Sequence, residues 1–344
     1  MVLLILLVTI PVLLSFITVV FFVPNGGGLS DRIRFSFTLH PELGLIKQGW
    51  LWFVIITPLY YFFSTSYFSW RDYSILLNAD GFQTFINISL VPIGLLSMSI
   101  PLSVLVSRLH STEQTAKQIE IVSYKNNLDT YRSHRQDLFS YFDQIGDVIF
   151  LDCLKVKFKA HPRLHKNFFK GDPKNGLPIP NIDAFKDIES ELKSARWGID
   201  GVIRDINPEH TLDFYLNTCS CLYRLSMKLG ISEINIDLVD RGVRVPVKIQ
   251  GQPETESLLT IGTTTDEYVT AFRVAKSFYY NLCDFSGYIP NIEPDERMKY
   301  VDTGGKYKKI NKNGLVVEKL HETVIKETIA TSKANEIVSK LDKF

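Results

Sequence analysis

Residues 1–23 read MVLLILLVTIPVLLSFITVVFFV and contain no charged side chain. A helix rises about 1.5 Å per residue, so a stretch of this length can cross the hydrocarbon core of a bilayer, which is about 30 Å thick. A secretory signal peptide has a basic start, a shorter apolar run and a cleavage site of small residues, and none of these occurs here. The stretch therefore predicts a first membrane span near residues 3–23 that remains attached to the protein.

Two further uncharged stretches lie within the first third of the chain. Residues 81–107 are uncharged and most apolar towards their end, which predicts a span near residues 86–107. Residues 49–70 carry ten aromatic side chains. Because tryptophan and tyrosine favour the headgroup level, this segment either lies in the membrane interface or crosses the bilayer near residues 49–68. We therefore expect a membrane α-helical N-terminal region, residues 1–107, with two or three spans.

The basic residues of this region favour three spans. They flank the aromatic stretch and the last span unevenly: Arg32, Arg34 and Lys47 come before the aromatic stretch, Arg71 follows it, and Arg108, Lys117 and Lys125 follow the last span. With three spans both basic groups face the cytoplasm, whereas two spans leave three basic residues outside. The positive-inside rule therefore predicts three spans and a cytoplasmic C-terminal part.

Small polar residues recur along the last predicted span, at Ser99, Ser103 and Ser107. Such a stripe lets helices approach closely, so it is a candidate for transmembrane packing in an oligomer whose hydroxyls line a pore. The other interpretation is ordinary packing, or hydroxyls that bond to their own helix. No ionisable side chain lies inside a predicted span, which leaves no residue for a proton relay or a voltage sensor.

The rest of the chain has the composition of a water-soluble protein, because the first 107 residues hold only four of the 38 Lys and Arg residues. Between Arg108 and Gly146 the chain has no Gly or Pro, which predicts a helical stalk over residues 108–148. Its apolar spacing is incomplete, so we expect it to pack loosely or to pair with a partner helix. Residues 149–344 are long enough for one domain with a core, expected to be a mainly helical α+β cytosolic domain.

Periodicity predicts the elements of this domain. The expected helices cover residues 182–203, 208–229 and 317–341, together with a helix capped by Asp266 that carries Val269, Phe272, Ala275, Tyr279 and Leu282 on one face. Residues 242–249 alternate as a strand does, and Pro246 restricts it to a sheet edge. Asn313-Gly314 predicts a hairpin between residues 307–310 and 315–318.

Common catalytic motifs are missing from the sequence. It has no GxxxxGK[ST], HExxH, GxSxG or helix-opening GxGxxG pattern. The four cysteines form no CxxC pair and are expected to be buried free thiols in a reducing compartment. Pro162 separates His161 from His165 and opposes a helix that aims both at one metal. The sequence therefore predicts no catalytic residue, no metal site and no cofactor, and a protein that is not an enzyme.

Two groups of basic residues are the best candidates for a binding site. The first basic cluster is Lys155, Lys157, Lys159, Arg163, Lys166, Lys170 and Lys174, with Phe158, Phe168 and Phe169 between its members; the second basic cluster is Lys306, Lys308, Lys309 and Lys312, around Tyr307. Cations neutralise phosphates, and rings stack on unpaired bases. Anionic lipid and water alone are the other two possibilities for both clusters.

Residues 81–119 also support a resemblance to a known family. The runs GFQTF (81–85), PIGL (92–95), IPL (100–102) and SRLHSTEQTAKQI (107–119) resemble a module of bacterial membrane-anchored accessory proteins, several of which act in phage defence. Within that group the chain most resembles the transmembrane effector proteins of bacterial retron anti-phage defence systems. The general layout of a short membrane part, a helix and a cytosolic domain extends this resemblance.

The resemblance implies an effector in the bacterial inner membrane that is held inactive by a reverse transcriptase and its msDNA, an RNA-linked DNA. Release during infection would damage the inner membrane and kill the cell, which is abortive infection. It further implies that the active form is a homo-oligomer in membrane lipid, and that the two basic clusters contact the nucleoprotein. A membrane-tethered enzyme with an unrecognised site and a passive anchor or sensor are the alternatives.

Overall fold

A computed structural model describes residues 1–23, 28–248, 255–292 and 295–341 of the protein. Helices make up 72% of the structure, and the strands are few and short. This confirms the expectation of a mainly helical protein with a small β component. The chain divides into two compact units, residues 1–125 and 126–344. One helix, Ser99–Ile145, contributes residues to both units.

The first unit is built from apolar helices. Its helices are α1 (Val2–Phe22), α2 (Leu29–Ser36), α3 (Gly49–Trp70), α4 (Ala79–Ser97) and the first part of α5 (Ser99–Ile145). By length and composition, α1, α3 and the stretch formed by α4 and α5 can each cross a membrane. Their most apolar windows are only 22%, 11% and 11% buried within the protein, so most of their surface is left for another apolar environment.

The stretch predicted as the last span is divided between two helices. α4 ends at Ser97 and α5 begins at Ser99. Pro101 lies in the first turn of α5, where a missing N–H is tolerated, but its ring would clash with the carbonyl of Ser97 in one continuous helix. Pro92 lies inside α4, which continues past it.

Hydroxyl groups connect α1 to α3. The Thr57 hydroxyl donates to the Ser15 hydroxyl at 2.8 Å, and the Tyr61 hydroxyl donates to the carbonyl of Val8 at 2.7 Å. Pro11, Ser15 and Val19 recur every four residues along α1 and are all buried. This narrow face packs against α3, while the remainder of α1 is largely exposed.

The second unit contains most of the remaining helices. They are the end of α5, α6 (Leu164–Phe168), α7 (Ile182–Arg204), α8 (Thr211–Leu229), α9 (Thr265–Ser286), α10 (Lys299–Asp302), α11 (Val316–Leu320) and α12 (Lys326–Leu341). A π-helical segment, His321–Ile325, joins α11 to α12. The predictions of α7, α8 and a helical C-terminal segment are therefore confirmed, with ends shifted by a few residues. The residues predicted as the stalk lie in α5, which begins earlier, at Ser99.

In the described part of the chain, three antiparallel pairs of short strands accompany these helices. β1 (Asp147–Phe150) pairs with β2 (Leu154–Lys157), β3 (Phe169–Lys170) with β4 (Ile179–Pro180), and β5 (Arg244–Lys248) with β6 (Thr255–Leu259). The predicted strand around Pro246 is β5, and its two-stranded sheet leaves Pro246 on an edge, as expected. Its predicted last residue, Ile249, lies outside the described residues.

The core of the second unit lies between α7, α8 and α9. The predicted apolar face of α9 is completely buried, including Phe272, Tyr279 and Leu282. A Cβ atom built on Gly198 of α7 would lie 1.9 Å from the Thr218 hydroxyl of α8, so the absence of a side chain lets these two helices approach closely.

Two local predictions were wrong. Asp266 does not cap α9. The cap is Thr264, whose hydroxyl accepts a hydrogen bond from the backbone N–H of Glu267 at 3.2 Å, while the Glu267 carboxylate accepts one from the backbone N–H of Thr264. The hairpin around Asn313-Gly314 is absent from this described segment: Lys306–Lys309 is a 3-10 turn, and α11 follows it. Val316, Val317 and Leu320 are buried at helical spacing. A helix places these three side chains on one face, whereas a strand would turn neighbouring residues to opposite sides.

Candidate functional site

The loop before α3 lies beside α5 in the first unit. Leu45 and Leu51 line a groove together with Ser103, Ser107 and Arg108 of α5. The pKa of Glu42 in this loop is lowered, first by a backbone hydrogen bond and also by the charge of Lys117 on α5. The basic loop before α3, which carries Lys47, and the basic part of α5, which carries Arg108 and Lys117, therefore lie at the same end of the apolar helices.

The serine stripe faces its own unit. The Ser103 hydroxyl donates to the carbonyl of Ser99 at 2.6 Å, which is a bond within the helix. Ser103 and Ser107 line the groove that also contains Leu45 and Leu51. These contacts favour the interpretation of the stripe as packing within one chain.

All seven members of the first basic cluster have exposed side chains. In β2 the alternation of the strand buries Leu154 and Val156 and turns Lys155 and Lys157 outwards. Ion pairs within 4 Å among the described residues involve only two members: Lys155 with Asp147 at 2.6 Å, and Lys170 with Asp183 at 3.1 Å. The other five cations are therefore available to an anionic partner.

The aromatic rings of this cluster are not available for stacking. Phe158, Phe168 and Phe169 are 1%, 2% and 4% exposed. Phe158 stacks on Phe278 of α9 with ring centroids 5.9 Å apart, and Phe168 packs edge-on against Phe185 of α7 at 5.2 Å. The expectation that these rings stack on unpaired bases was therefore wrong, because the same rings form the core that holds the basic segment in place.

A cleft adjoins the first basic cluster at the end of α8. It has a volume of about 340 Å³, and its lining includes Arg163, Asn167, Lys228, Ser232 and Asn235. Lys228 is held by Asp187 at 2.5 Å and by Glu191 at 2.9 Å. The cleft therefore combines one cation, Arg163, and neutral polar groups with apolar side chains such as Met227 and Ile236, while the charge of Lys228 is balanced by its two carboxylates. Of these five residues only Arg163 was identified from the sequence; Asn167 is an uncharged neighbour of the first basic cluster, and Lys228, Ser232 and Asn235 are more than 60 residues away along the chain.

The second basic cluster lies on the 3-10 turn and the residues after it, and all four of its lysines are exposed. Tyr307, at its centre, is 2% exposed and donates a hydrogen bond to Asp266 at 2.6 Å. Lys308 forms an ion pair with the other oxygen of Asp266, also at 2.6 Å. As in the first basic cluster, the ring anchors the segment and the cations face outwards.

Helix α9 anchors both clusters. Asp266 binds the second basic cluster, and Thr270, four residues later, contacts Cys153 with its hydroxyl 2.9 Å from the thiol. Cys153 belongs to the turn that leads into Lys155. Residues four apart lie on the same face of a helix, about 6 Å apart along its axis. The structure therefore attaches the start of the first cluster and the second cluster to adjacent turns of α9.

The histidines and cysteines of the second unit lie in separate places, and Cys153, expected to be buried, is only partly buried. His165 contacts His134, while His161 is exposed, so the two histidines of the sequence pattern do not meet. Cys219, Cys221 and Cys283 are buried free thiols, as predicted, and burial raises the pKa of Cys219 to about 12. Among the described residues, no group of three or more His, Cys, Asp or Glu side chains has a geometry that suits a metal ion.

A second groove, between α7 and α8, was missed in the sequence. It has a volume of about 510 Å³ and is lined by Trp197, Ile206, Phe214, Asn217 and Arg224, among others. Trp197 is 61% exposed although it lies on an amphipathic helix. The buried residues of α7 include Leu192, Ala195, Ile199 and Val202, and Trp197 falls out of phase with them. A helical wheel of α7 is therefore the signal that identifies this exposed ring.

Comparison of the chain with protein-family models, with curated proteins and with solved structures finds no match.

Proposed function

We infer that the protein is a membrane-anchored effector of a retron anti-phage defence system. In this proposal the second unit binds a reverse transcriptase and its msDNA, which keep the protein inactive in the inner membrane. Loss of that complex during infection allows the apolar helices to damage the membrane and kill the cell. The assignment to this family rests on the resemblance of residues 81–119. The physical features that support the proposal are the continuous helix α5 and the two basic clusters.

The observation that carries the proposal is the continuity of α5, one helix of 47 residues. Its first turns carry exposed apolar residues such as Ile100 and Val104, which suit lipid. Its last turns carry Leu138 and Phe142, both 0% exposed, which belong to the core of the second unit. A partner that binds the second unit therefore acts on a helix that continues without a break into the apolar part of the protein.

The two basic clusters support a nucleic-acid partner for the second unit. Their cations are exposed and their rings are buried, so the contacts that they offer are charge contacts to phosphates. Phosphate contacts are independent of base sequence and weaken as the salt concentration rises. A nucleoprotein such as a reverse transcriptase with msDNA supplies phosphates together with a protein surface, and the cytoplasmic side of the membrane follows from the positive-inside rule.

The test is membrane depolarisation in bacteria that produce the full chain, alone or together with the reverse transcriptase and msDNA. We expect depolarisation and growth arrest with the chain alone, and suppression of both by the nucleoprotein. A variant with Lys157, Lys159, Arg163 and Lys166 changed to Gln should depolarise the membrane and escape suppression. The matched control changes four exposed lysines elsewhere, Lys186, Lys193, Lys319 and Lys326, and should remain suppressed.

A second variant separates membrane damage from an enzymatic effect. Ile93 of α4 is half exposed, and Ile93→Lys places a charge on the apolar surface of that helix, where it opposes insertion. We expect this variant to lose depolarisation and toxicity, whereas Ile93→Leu keeps both. Toxicity of Ile93→Lys equal to that of the unchanged chain would contradict the proposal and favour a membrane-tethered enzyme.

A further inference from the structure

The part of α5 that follows the apolar stretch is almost completely exposed. From residue 111 to residue 126 every side chain is exposed except that of Gln114, which is partly buried. This segment carries Ile119, Ile121 and Val122, all more than half exposed. Apolar side chains on a helix that emerges into water favour a partner, because removing their surface from water is favourable.

Seven exposed residues of α5 lie at heptad spacing. Leu105, Leu109, Thr112, Ala116, Ile119, Ser123 and Asn126 are separated alternately by four and three residues, and all seven are exposed. These residues are called the seam below. Alternating spacings of four and three place side chains on one face of a helix, the face that meets the partner in a coiled coil, and Leu105, Leu109, Ala116 and Ile119 make this face partly apolar. The seam begins in the apolar stretch and ends where α5 enters the second unit.

The seam lies on the side of α5 that its own unit leaves free. Ser103 and Ser107, which line the groove with Leu45, are each two residues before a member of the seam. Two residues correspond to a rotation of about 200° around a helix. Leu105 and Leu109 therefore point almost opposite to the face that packs within the chain.

We propose that the seam binds the seam of a second copy of this chain, so that the two α5 helices form a parallel coiled coil. The proposal rests on the membrane anchoring of the proposed function. Two copies that are inserted in one bilayer in the same orientation present α5 in parallel and at the same depth, so identical residues meet without a register shift. The serine stripe, which the sequence suggested for this role, remains inside each chain.

Charges beside the seam fit the parallel arrangement. In a parallel coiled coil, the residue before one seam position faces the residue five places later on the partner helix. Arg108 and Glu113 stand in this relation, and they have opposite charges. Within the described part of the chain neither forms an ion pair, so both are available to the partner copy.

The composition of the seam indicates that the pairing is weak in solution. Thr112, Ala116, Ser123 and Asn126 bury little apolar surface, and only the leucines and Ile119 are strong coiled-coil residues. Confinement of both copies to a membrane raises their effective concentration. Pairing is therefore sensitive to anything that separates the second units, such as a bound nucleoprotein.

Cysteine crosslinking in membranes tests the pairing, with two isoleucines as a matched pair. Ile119 belongs to the seam, and Ile121 is equally apolar and exposed but lies on the far side of α5. In membranes of cells that produce the full chain, mild oxidation should convert Ile119→Cys to a covalent dimer at least tenfold faster than Ile121→Cys. Ala116→Cys should behave as Ile119→Cys does, and Gln114→Cys as Ile121→Cys does. Equal rates at residues 119 and 121 would overturn the pairing.

Charge reversal provides a second readout in the same membranes. Arg108→Glu should reduce the dimer yield of Ile119→Cys several-fold, and the double exchange Arg108→Glu with Glu113→Arg should restore it. A double exchange that restores nothing would contradict the parallel register. The crosslinks need neither nucleoprotein nor toxicity, so dimers without depolarisation would overturn the effector function and support the pairing. Depolarisation with equal rates at residues 119 and 121 would overturn the pairing and support the effector function.

Discussion

His134 of α5 and His165 of α6 face each other, with 3.0 Å between Nδ1 of the first and Nε2 of the second. Phe169 and Phe285 pack against the His134 ring, with centroids 4.7 and 5.2 Å away. Burial lowers the pKa of His165 to about 4, and burial also lowers the pKa of His134. The pair is therefore neutral at physiological pH and joins α5 to the first basic cluster.

This pair predicts a loss of stability in mild acid. An unfolded histidine binds a proton near its ordinary pKa of 6.5, whereas His165 in the folded protein binds one only near pH 4. Lowering the pH through this window therefore favours the unfolded state, by up to about 3 kcal/mol for a shift of this size. We expect the melting temperature of the detergent-solubilised protein to fall less steeply between pH 6.5 and 4 in His165→Gln. His210→Gln, at an exposed position, should keep the original pH dependence; the same slope in both variants would contradict the assignment.

Two glycines of α7 predict opposite effects of one substitution. A Cβ on Gly198 would meet the Thr218 hydroxyl at 1.9 Å, whereas a Cβ on Gly201 would meet nothing within 4 Å. Gly198→Ala should destabilise the protein by about 1–3 kcal/mol, because the closely packed helices must separate. Gly201→Ala should stabilise it by about 0.5–1 kcal/mol through helix propensity. Thermal unfolding measures both, and destabilisation by Gly201→Ala would contradict the described packing.

A buried ion pair predicts a large effect of neutralising one residue. Asp302 binds Arg196 and Lys276, each at 2.6 Å, and the Arg196 and Asp302 side chains are 7% and 11% exposed. Asp302→Asn removes the carboxylate that Arg196 and Lys276 share and should cost about 3–5 kcal/mol in the free energy of unfolding. The control is Glu296→Gln, which breaks an exposed pair with Lys299 and should change stability by less than about 1 kcal/mol. Similar effects of both substitutions would argue against burial of the Asp302 network.

The burial of the phenylalanines predicts how the first basic cluster binds nucleic acid. Phe169→Leu should lower stability by about 1 kcal/mol and leave the affinity for a single-stranded oligonucleotide unchanged, since the ring is in the core. The double change of Lys157 and Lys159 to Gln should weaken binding and reduce the salt dependence by about two released counterions. Fluorescence anisotropy over a range of salt concentrations measures both. A large loss of affinity in Phe169→Leu, at unchanged folding, would restore the stacking interpretation.

The distribution of basic residues predicts a three-span topology that labelling can test. Ile46 and Ser74, both exposed, precede and follow α3. With three spans, Ser74→Cys should react with a membrane-impermeant maleimide in intact cells, whereas Ile46→Cys should react only after the membrane is opened. The unchanged chain, with its four native cysteines, is the background. Labelling of both positions from outside would show two spans, with α3 in the interface.

Local patterns in the sequence were sufficient for the apolar helices and for α7, α8 and the face of α9. Hydropathy and the 3.6-residue period are properties of neighbouring residues, and so is the alternation that identified β5 around Pro246. The predicted Asp266 cap failed although a local signal was present, since Thr264 and Glu267 form the capping box of α9. The hairpin at Asn313-Gly314 failed because Val316, Val317 and Leu320 are buried on one face of a helix instead. Asp266 is occupied by Tyr307, which is 41 residues away along the chain.

The nature of the candidate sites depended on contacts that no local pattern contains. Apolar length and charge, read along the chain, were enough to separate the membrane-like part from the polar part and to locate both basic clusters. The phenylalanines of the first basic cluster pack into the core and are not free to bind a ligand. This followed from the stacking of Phe158 on Phe278, which is 120 residues later in the chain. Likewise, the face of α5 that packs within its own unit became visible once Leu45 and Leu51 were found beside its serines. The physical reason is that burial is a property of three-dimensional neighbours, and these neighbours are distant in the sequence.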